Sequence, residues 1–245
     1  MTPTLPLPPA AAPGDPDAQA QVRAALAWTH GARFLTTASR LDQLPAGDLP
    51  EIAFVGRSNA GKSTAINQLA QQRRLAFASR TPGRTQHINL FELGPKGAPE
   101  ALLADLPGYG YAAVERAAKL RWQEVMAEYL VVRRNLHGVV QLVDSRIGFT
   151  ELDLRLLDLI ANRVATGEVR LLVLLTKSDK LSRRDAQRAL NLAQAALAER
   201  ATADADIGVA LFSALSRQGL SDTALLLRQW VPPAAAAPQG AVAPA

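Results

Sequence analysis

The eight residues Gly56-Arg57-Ser58-Asn59-Ala60-Gly61-Lys62-Ser63 constrain this chain more than any other feature. They match G-x-x-x-x-G-K-[ST] at every defined position, just after the apolar run Ile52–Val55 and just before a helical pattern over Lys62–Leu69. Such a loop works only at the end of a strand that feeds a helix. Its backbone N–H groups must converge on phosphate oxygens, and the N-terminus of the next helix must face the same negative charge. Lys62 then supplies a point charge to the β and γ phosphates, and Ser63 a hydroxyl to Mg²⁺. By itself the loop specifies a nucleoside triphosphate with magnesium; ATPases, kinases and GTPases share it.

The rest of the chain predicts a fold that can hold such a loop. Apolar runs at Ile88–Leu93, Ala101–Ala104, Val139–Val143, Leu171–Leu175 and Val209–Phe212 alternate with helical patterns at Leu120–Val132, Leu152–Val164, Arg183–Arg200 and Leu220–Trp230. With Ile52–Val55 they predict an α/β domain of the three-layer P-loop NTPase (Ras-like) kind. Its sheet is expected to be mostly parallel and six-stranded, with helices on both faces. Ala20–Ser39 reads as a further short helix with Val22, Leu26, Phe34 and Leu35 as apolar points. Prolines mark the boundaries: of 16, six fall in residues 1–20 and four in 231–245. The expected division is a disordered Pro/Ala-rich tail over 1–20, a helical lead-in over 21–48, one nucleotide-binding domain over 49–230 and a second disordered tail over 231–245.

Composition removes alternative chemistries. With no cysteine and three scattered histidines, thiol nucleophiles, iron–sulfur clusters and Cys- or His-built metal sites are excluded or disfavoured. No apolar run approaches the ~18 residues needed to cross a membrane. The first basic side chain is Arg23, so a charged secretory start is missing, and a cytoplasmic protein without membrane contact is expected. The net charge of +5 leans weakly toward a polyanionic partner.

In a parallel sheet covered on both faces, ligands bind outside the carboxyl ends of the strands. Each further motif must therefore sit at a strand end, and three do. Asp105-Leu106-Pro107-Gly108 follows Ala101–Ala104: an Asp that reaches the metal, and a Gly whose N–H meets the γ-phosphate. Thr176-Lys177-Ser178-Asp179 follows Leu171–Leu175 and has the [NT]-K-x-D pattern of guanine readers. The Asp carboxylate accepts from guanine N1–H and the 2-amino group, a donor pair that adenine lacks, and the Lys stem lies over the base plane. Phe212-Ser213-Ala214 closes the series with a backbone N–H for the guanine 6-oxo group. Between the first helix and second strand lies Thr81-Pro82-Gly83-Arg84-Thr85-Gln86. A switch there needs a Thr that reaches Mg²⁺ when the γ-phosphate is bound, and spacing leaves Thr81 and Thr85 both open.

At these residues the chain resembles the translation-factor class of P-loop GTPases, and more closely the EngB (YihA/YsxC) family of bacterial GTPases tied to ribosome assembly. The resemblance rests on GRSNAGKS (Gly56–Ser63), TPGRTQ (Thr81–Gln86), DLPGYG (Asp105–Gly110) and TKSD (Thr176–Asp179). Val143-Asp144-Ser145-Arg146 with Glu151-Leu152-Asp153, and Trp122 with Tyr129-Leu130, extend it. It covers about residues 25–230 and not the tails. It implies Thr85 rather than Thr81 as the switch ligand, giving Ser63, Thr85 and Asp105 as the magnesium set. It implies a nucleotide-contacting segment over Gly83, Arg84, Thr85, Gln86 and His87. It implies GTP hydrolysis as a switch in large ribosomal subunit assembly, with growth, division and septation depending on it. The alternative is a nucleotide-gated binding module on the division machinery whose hydrolysis is incidental.

Many GTPases carry Gln directly after D-x-x-G to orient the attacking water; here Tyr109 stands there, which predicts slow turnover. Hydrolysis is then expected to rest on Lys62, Thr85, Gly108 and Asn59. Similar GTPases with Asn at the position of Asn59 hold K⁺ with it; the alternative is that Asn59 tolerates a tight turn. The expected partner is the large ribosomal subunit or its rRNA, met by a monomer. Candidate basic contacts are Arg73-Arg74, Arg133-Arg134, Arg183-Arg184 and the cluster Arg116, Lys119 and Arg121. Arg57, Arg80 and Arg84 lie near the phosphates in sequence but read more simply as solvated charge.

Overall fold

The computed structural model describes residues 5–6, 15–76, 87–110 and 116–232, and for 5–6 and 116–123 the backbone alone. Its elements run β1 (Leu5–Pro6), α1 (Pro16–His30), β2 (Arg33–Ala38), β3 (Glu51–Gly56), α2 (Lys62–Leu69), β4 (Ile88–Leu93), β5 (Ala101–Asp105), α3 (Arg116–Val132), β6 (Leu136–Asp144), α4 (Glu151–Ala165), β7 (Arg170–Thr176), α5 (Arg183–Ala198), β8 (Ile207–Leu211) and α6 (Leu220–Trp230). The strands form one sheet in the order β1-β8-β7-β6-β3-β5-β4-β2. Only β4 runs against the others, antiparallel to both β5 and β2.

Period-two alternation splits the core into two layers. Along β3, Ala53 and Val55 face a cluster with Tyr129 and Leu130 of α3, Leu156 and Ile160 of α4, and Leu197 of α5. Ile52 and Phe54 face the opposite cluster with Trp28 of α1, Ile66 of α2 and Leu227 of α6. The central strands β3, β6 and β7 are buried on both faces, which is why their sequences read as nearly continuous apolar runs. The expected three-layer α/β architecture is therefore present.

Two features differ from the sequence expectation. The sheet has eight strands rather than six, because Arg33–Ala38 and Leu5–Pro6 join it. The helix expected over Ala20–Ser39 ends at His30, where Gly31 N–H bonds back to Ala27 O. Phe34 and Leu35 lie instead on β2, where Phe34 pairs with Phe91 of β4 and Leu35 sits at the irregularity before the Thr36–Leu90 pair. The sequence Arg33-Phe34-Leu35-Thr36-Thr37-Ala38 is rich in aromatic and β-branched residues, and an available strand edge decides such a case. The lead-in expected over 21–48 thus contributes a strand to the sheet, and α1 starts at Pro16, inside the stretch read as tail. Asp15 caps α1, its carboxylate accepting from the N–H groups of Asp17 and Ala18. Most of the first tail and residues 233–245 lie outside the described residues.

The order of strands fixes where a ligand can sit. From β3 the chain builds one side of the sheet with β4 and β5, then crosses to the other with β6, β7 and β8. The carboxyl end of β3 is therefore a topological switch point, where neighbouring connections diverge and leave a crevice.

Candidate functional site

The phosphate loop leaves β3 at this crevice. Two residues in it have left-handed backbone: Asn59 at φ 66° and Gly61 at φ 96°. Gly61 is then the N-cap of α2, so the first free N–H groups of the helix open toward the loop. Lys62 and Ser63 are the first two residues of α2, and Lys62 is 9% exposed. Its Nζ donates to Oδ1 of Asp105, the last residue of β5, which is 1% exposed. Lysine and carboxylate come from motifs 43 residues apart and meet because β3 and β5 are parallel neighbours, with Phe54 opposite Asp105. The Ser63 hydroxyl and the Asp105 carboxylate are hard oxygen donors, the kind that Mg²⁺ takes.

Asp105-Leu106-Pro107-Gly108 lies against the phosphate loop. Leu106 N–H donates to Phe54 O at 3.1 Å, Tyr109 N–H to Gly56 O at 3.2 Å, and Ser58 N–H to Tyr109 O at 2.9 Å. A side chain at Gly108 would meet Ser58 at 3.1–3.3 Å, so glycine permits the close approach. Leu106 and Pro107 are buried, and Leu106 packs in the core. The Tyr109 side chain points away from this contact. It is 3% exposed, and its hydroxyl donates to Asp153 Oδ1 of α4 at 2.8 Å and accepts from Gln141 Nε2 of β6 at 3.1 Å. Burial, then the neighbouring Asp153 carboxylate, raise its pKa well above that of free tyrosine.

The guanine-reader motif sits at the end of β7. Thr176 Oγ1 donates to Ala60 O at 2.6 Å, which ties the motif to the phosphate loop. Lys177 has left-handed backbone at φ 59°, and its Nζ donates to Asn59 O at 2.7 Å and to Asp144 Oδ2 at 2.9 Å. Ser178 Oγ donates to Gln218 Oε1 at 2.8 Å. Ser213 Oγ donates to Asp179 Oδ1 at 2.6 Å, and this bond leads the causes that lower the Asp179 pKa. Ser178 N–H donates to Phe212 O, and Gln68 Nε2 of α2 to Ala214 O at 2.8 Å. Gly56–Ser63, Asp105–Gly108, Thr176–Asp179 and Phe212–Ala214 are thus connected around one end of the sheet.

His87, before β4, is exposed at the same end of the sheet, its Nδ1 2.7 Å from Ser39 Oγ. Gly83, Arg84, Thr85 and Gln86, together with Thr81 and Arg80, lie outside the described residues, as do the side chains of Arg116, Lys119 and Arg121. Of the basic pairs, Arg133 is withdrawn from partner contact: Nη2 and Nε both bind the buried carboxylate of Glu51. Arg73, Arg74, Arg134, Arg183 and Arg184 are exposed. Arg57 lines the crevice beside the loop with a buried Nε that has no partner among the described residues. Sequence reasoning quoted Asp144 as part of the resemblance without giving it a role, and missed Gln218; they hold Lys177 and Ser178. Asp144 ends strand β6, so the strand-end rule applied to β6 would have found it.

The family model for 50S ribosome-binding GTPases matches residues 51–177. The chain is 58% identical over 212 residues to the probable GTP-binding protein EngB of Albidiferax ferrireducens, covering 86% of this chain and 98% of the relative. It is 55% identical over 226 residues to the protein of the same name from Polaromonas sp., covering 92% and 88%. The crystal structure of a probable GTP-binding protein engB superposes with a TM-score of 0.56 at 21% identity, over 74% of this chain and 97% of that one. Era in complex with MgGDPNP and nucleotides 1506–1542 of 16S ribosomal RNA superposes with a TM-score of 0.60 at 19% identity, over 78% and 59%. At such identities the two structures bear on the fold alone.

Proposed function

Because the chain belongs to the EngB family of GTP-binding proteins and is a GTPase, we propose that it is a magnesium-dependent switch in bacterial large ribosomal subunit assembly. One observation carries the nucleotide assignment: the phosphate loop is bonded to both other motif ends. Ser58 and Gly56 bond to Tyr109, and Ala60 and Asn59 bond to Thr176 and Lys177. Phosphate and base readers therefore share one frame. The partner assignment draws on the family model's description as 50S ribosome-binding. On this reading the protein acts in the cytoplasm as a monomer, with growth, division and septation depending on ribosome supply.

The phosphate loop's N–H groups and the N-terminus of α2 bind the β and γ phosphates. Lys62 exchanges Asp105 for phosphate oxygens, and Gly108 offers its N–H to the γ-phosphate. Ser63, Thr85 and Asp105 would hold Mg²⁺, which would supply positive charge against the negative charge developing on the phosphates. Asp179, oriented by Ser213, accepts from guanine N1–H and the 2-amino group. Phe212–Ala214 supplies the N–H for the 6-oxo group, and Gly83–His87 contacts the nucleotide, as the family resemblance implies. The Tyr109 hydroxyl is committed to Asp153 and Gln141, so backbone groups or a partner orient the water and intrinsic turnover is slow. Asn59 has a conformational reason for its place, because Asn tolerates φ 66° better than most residues. A K⁺ role for Asn59 therefore rests on the family resemblance, and equal rates in KCl and NaCl, with and without ribosomes, would remove it.

Two measurements test the proposal. GTP should displace bound fluorescent GDP while ATP does not. Cells depleted of the protein and supplied with Lys62→Ala should accumulate unfinished large subunits on sucrose gradients. Normal ribosome profiles with a division defect would refute the assembly role in favour of the division machinery.

A further inference from the structure

Asp144 belongs to none of the nucleotide motifs, yet among the described residues it is the most heavily bonded carboxylate at this end of the sheet. It ends β6 and is 8% exposed. Oδ1 accepts from Arg146 N–H at 3.1 Å and Arg146 Nε at 2.9 Å. Oδ2 accepts from Arg146 Nη2 at 2.7 Å and from Lys177 Nζ at 2.9 Å. The same Lys177 ammonium donates to Asn59 O at 2.7 Å. One side chain thus joins the ends of β6 and β7 to the phosphate loop.

A lysine stem is among the most costly side chains to immobilise, because it has many rotamers to lose. A base site that uses this stem as a wall gains affinity if the stem is fixed before the nucleotide arrives. The Asn59 carbonyl alone gives the ammonium one neutral acceptor. Asp144 adds a charged one on the β6 side, and such bonds are roughly twice as strong as neutral ones. It also offsets the charge of an ammonium packed beside Arg146 and near Arg57.

We propose that Asp144 is a positioning residue for guanine recognition. It holds Lys177 in the pose that lines the base site. The inference rests on the reading of Thr176–Asp179 as the base site. All of these contacts lie on the base side of the loop, so Asp144 acts equally on GTP and GDP affinity and not on the chemical step.

The test is a double-mutant cycle on the full chain, reading the Kd of fluorescent GDP and of a non-hydrolysable GTP analogue, and the single-turnover rate at saturation. Asp144→Asn should raise both Kd values by about tenfold and alike, with the saturated rate within about twofold. In a Lys177→Met background the same substitution should change Kd by less than about twofold. An equal loss in both backgrounds would overturn the inference, as would a loss confined to the GTP analogue. Arg146→Ala, which leaves the Asp144–Lys177 contact intact, should hold Kd within about twofold. A tenfold loss there would assign the effect to the Arg146 loop instead, and this arm decides the matter even if Asp144→Asn fails to fold. If Lys177→Met weakens binding and Asp144→Asn does not, only the positioning role falls. If Lys177→Met leaves Kd unchanged, the base-site reading falls with it.

Discussion

Replacing Tyr109 by Phe removes a single oxygen from a closed network. The phenol donates to Asp153 Oδ1 at 2.8 Å and accepts from Gln141 Nε2 at 3.1 Å, and Asp153 itself is 1% exposed. Asp153 Oδ2 remains satisfied by Thr150 N–H at 2.8 Å and Thr150 Oγ1 at 2.5 Å, the capping box of α4. Gln141 Nε2 keeps the Asp153 carbonyl at 3.1 Å. Two hydrogen bonds are therefore lost, and the one to the buried carboxylate, worth about 1.5–3 kcal/mol, dominates because Gln141 Nε2 keeps its other acceptor. For a domain of this size, each kcal/mol lowers Tm by about 2–4 °C, so a fall of about 3–12 °C is expected by calorimetry. The saturated single-turnover GTPase rate should stay within about threefold, because the hydroxyl faces α4 and β6 rather than the phosphates. A tenfold or larger loss of rate with unchanged Tm would refute this reasoning and return Tyr109 to the reacting water.

The remaining predictions are brief. Arg133→Ala strands the Glu51 carboxylate, 0% exposed, with Tyr129 its one remaining side-chain donor among the described residues; it should cost about 3–5 kcal/mol, read as a lower denaturation midpoint in urea. Asp179→Asn should shift binding from guanine to xanthine nucleotides, and retained tight GTP binding would refute the base assignment. Asp144 has a depressed pKa: burial raises it, but the hydrogen bonds from Arg146 and Lys177 outweigh burial. A depressed carboxylate stabilises the fold above its unfolded value of about 3.9, and that contribution is lost as pH falls through the lower folded value. The stability gap between the wild-type chain and Asp144→Asn should thus be full at pH 7 and close only in strong acid, as urea titrations at several pH values will show. Chelating magnesium with EDTA should abolish hydrolysis while GDP binding weakens less.

The Gly56–Ser63, Asp105–Gly108, Thr176–Asp179 and Phe212–Ala214 segments were legible because each is a local pattern whose chemistry needs consecutive residues at a strand end. Their strands were legible because burial on both faces leaves an unbroken apolar run. The Arg33–Ala38 strand was not. Its residues suit a strand or a helix end, and the choice falls to β4, more than 50 residues on, which offers its hydrogen-bonding edge. Tyr109 shows the same limit at the site. Sequence places it after D-x-x-G, beside the chemistry, while packing turns its ring into the core toward Asp153.

The sequence by itself determined the GTP-binding family, because phosphate- and guanine-reading patterns are short stretches whose spacing is set by backbone geometry. Only the tertiary structure decided how those stretches are held. Lys62 with Asp105, Lys177 with Asp144 and Asn59, Arg133 with Glu51, and Tyr109 with Asp153 are pairs drawn from different elements. No periodicity along the chain encodes them. They form because parallel strands bring distant carboxyl ends within a few ångströms, where a buried charge or hydroxyl must find a partner.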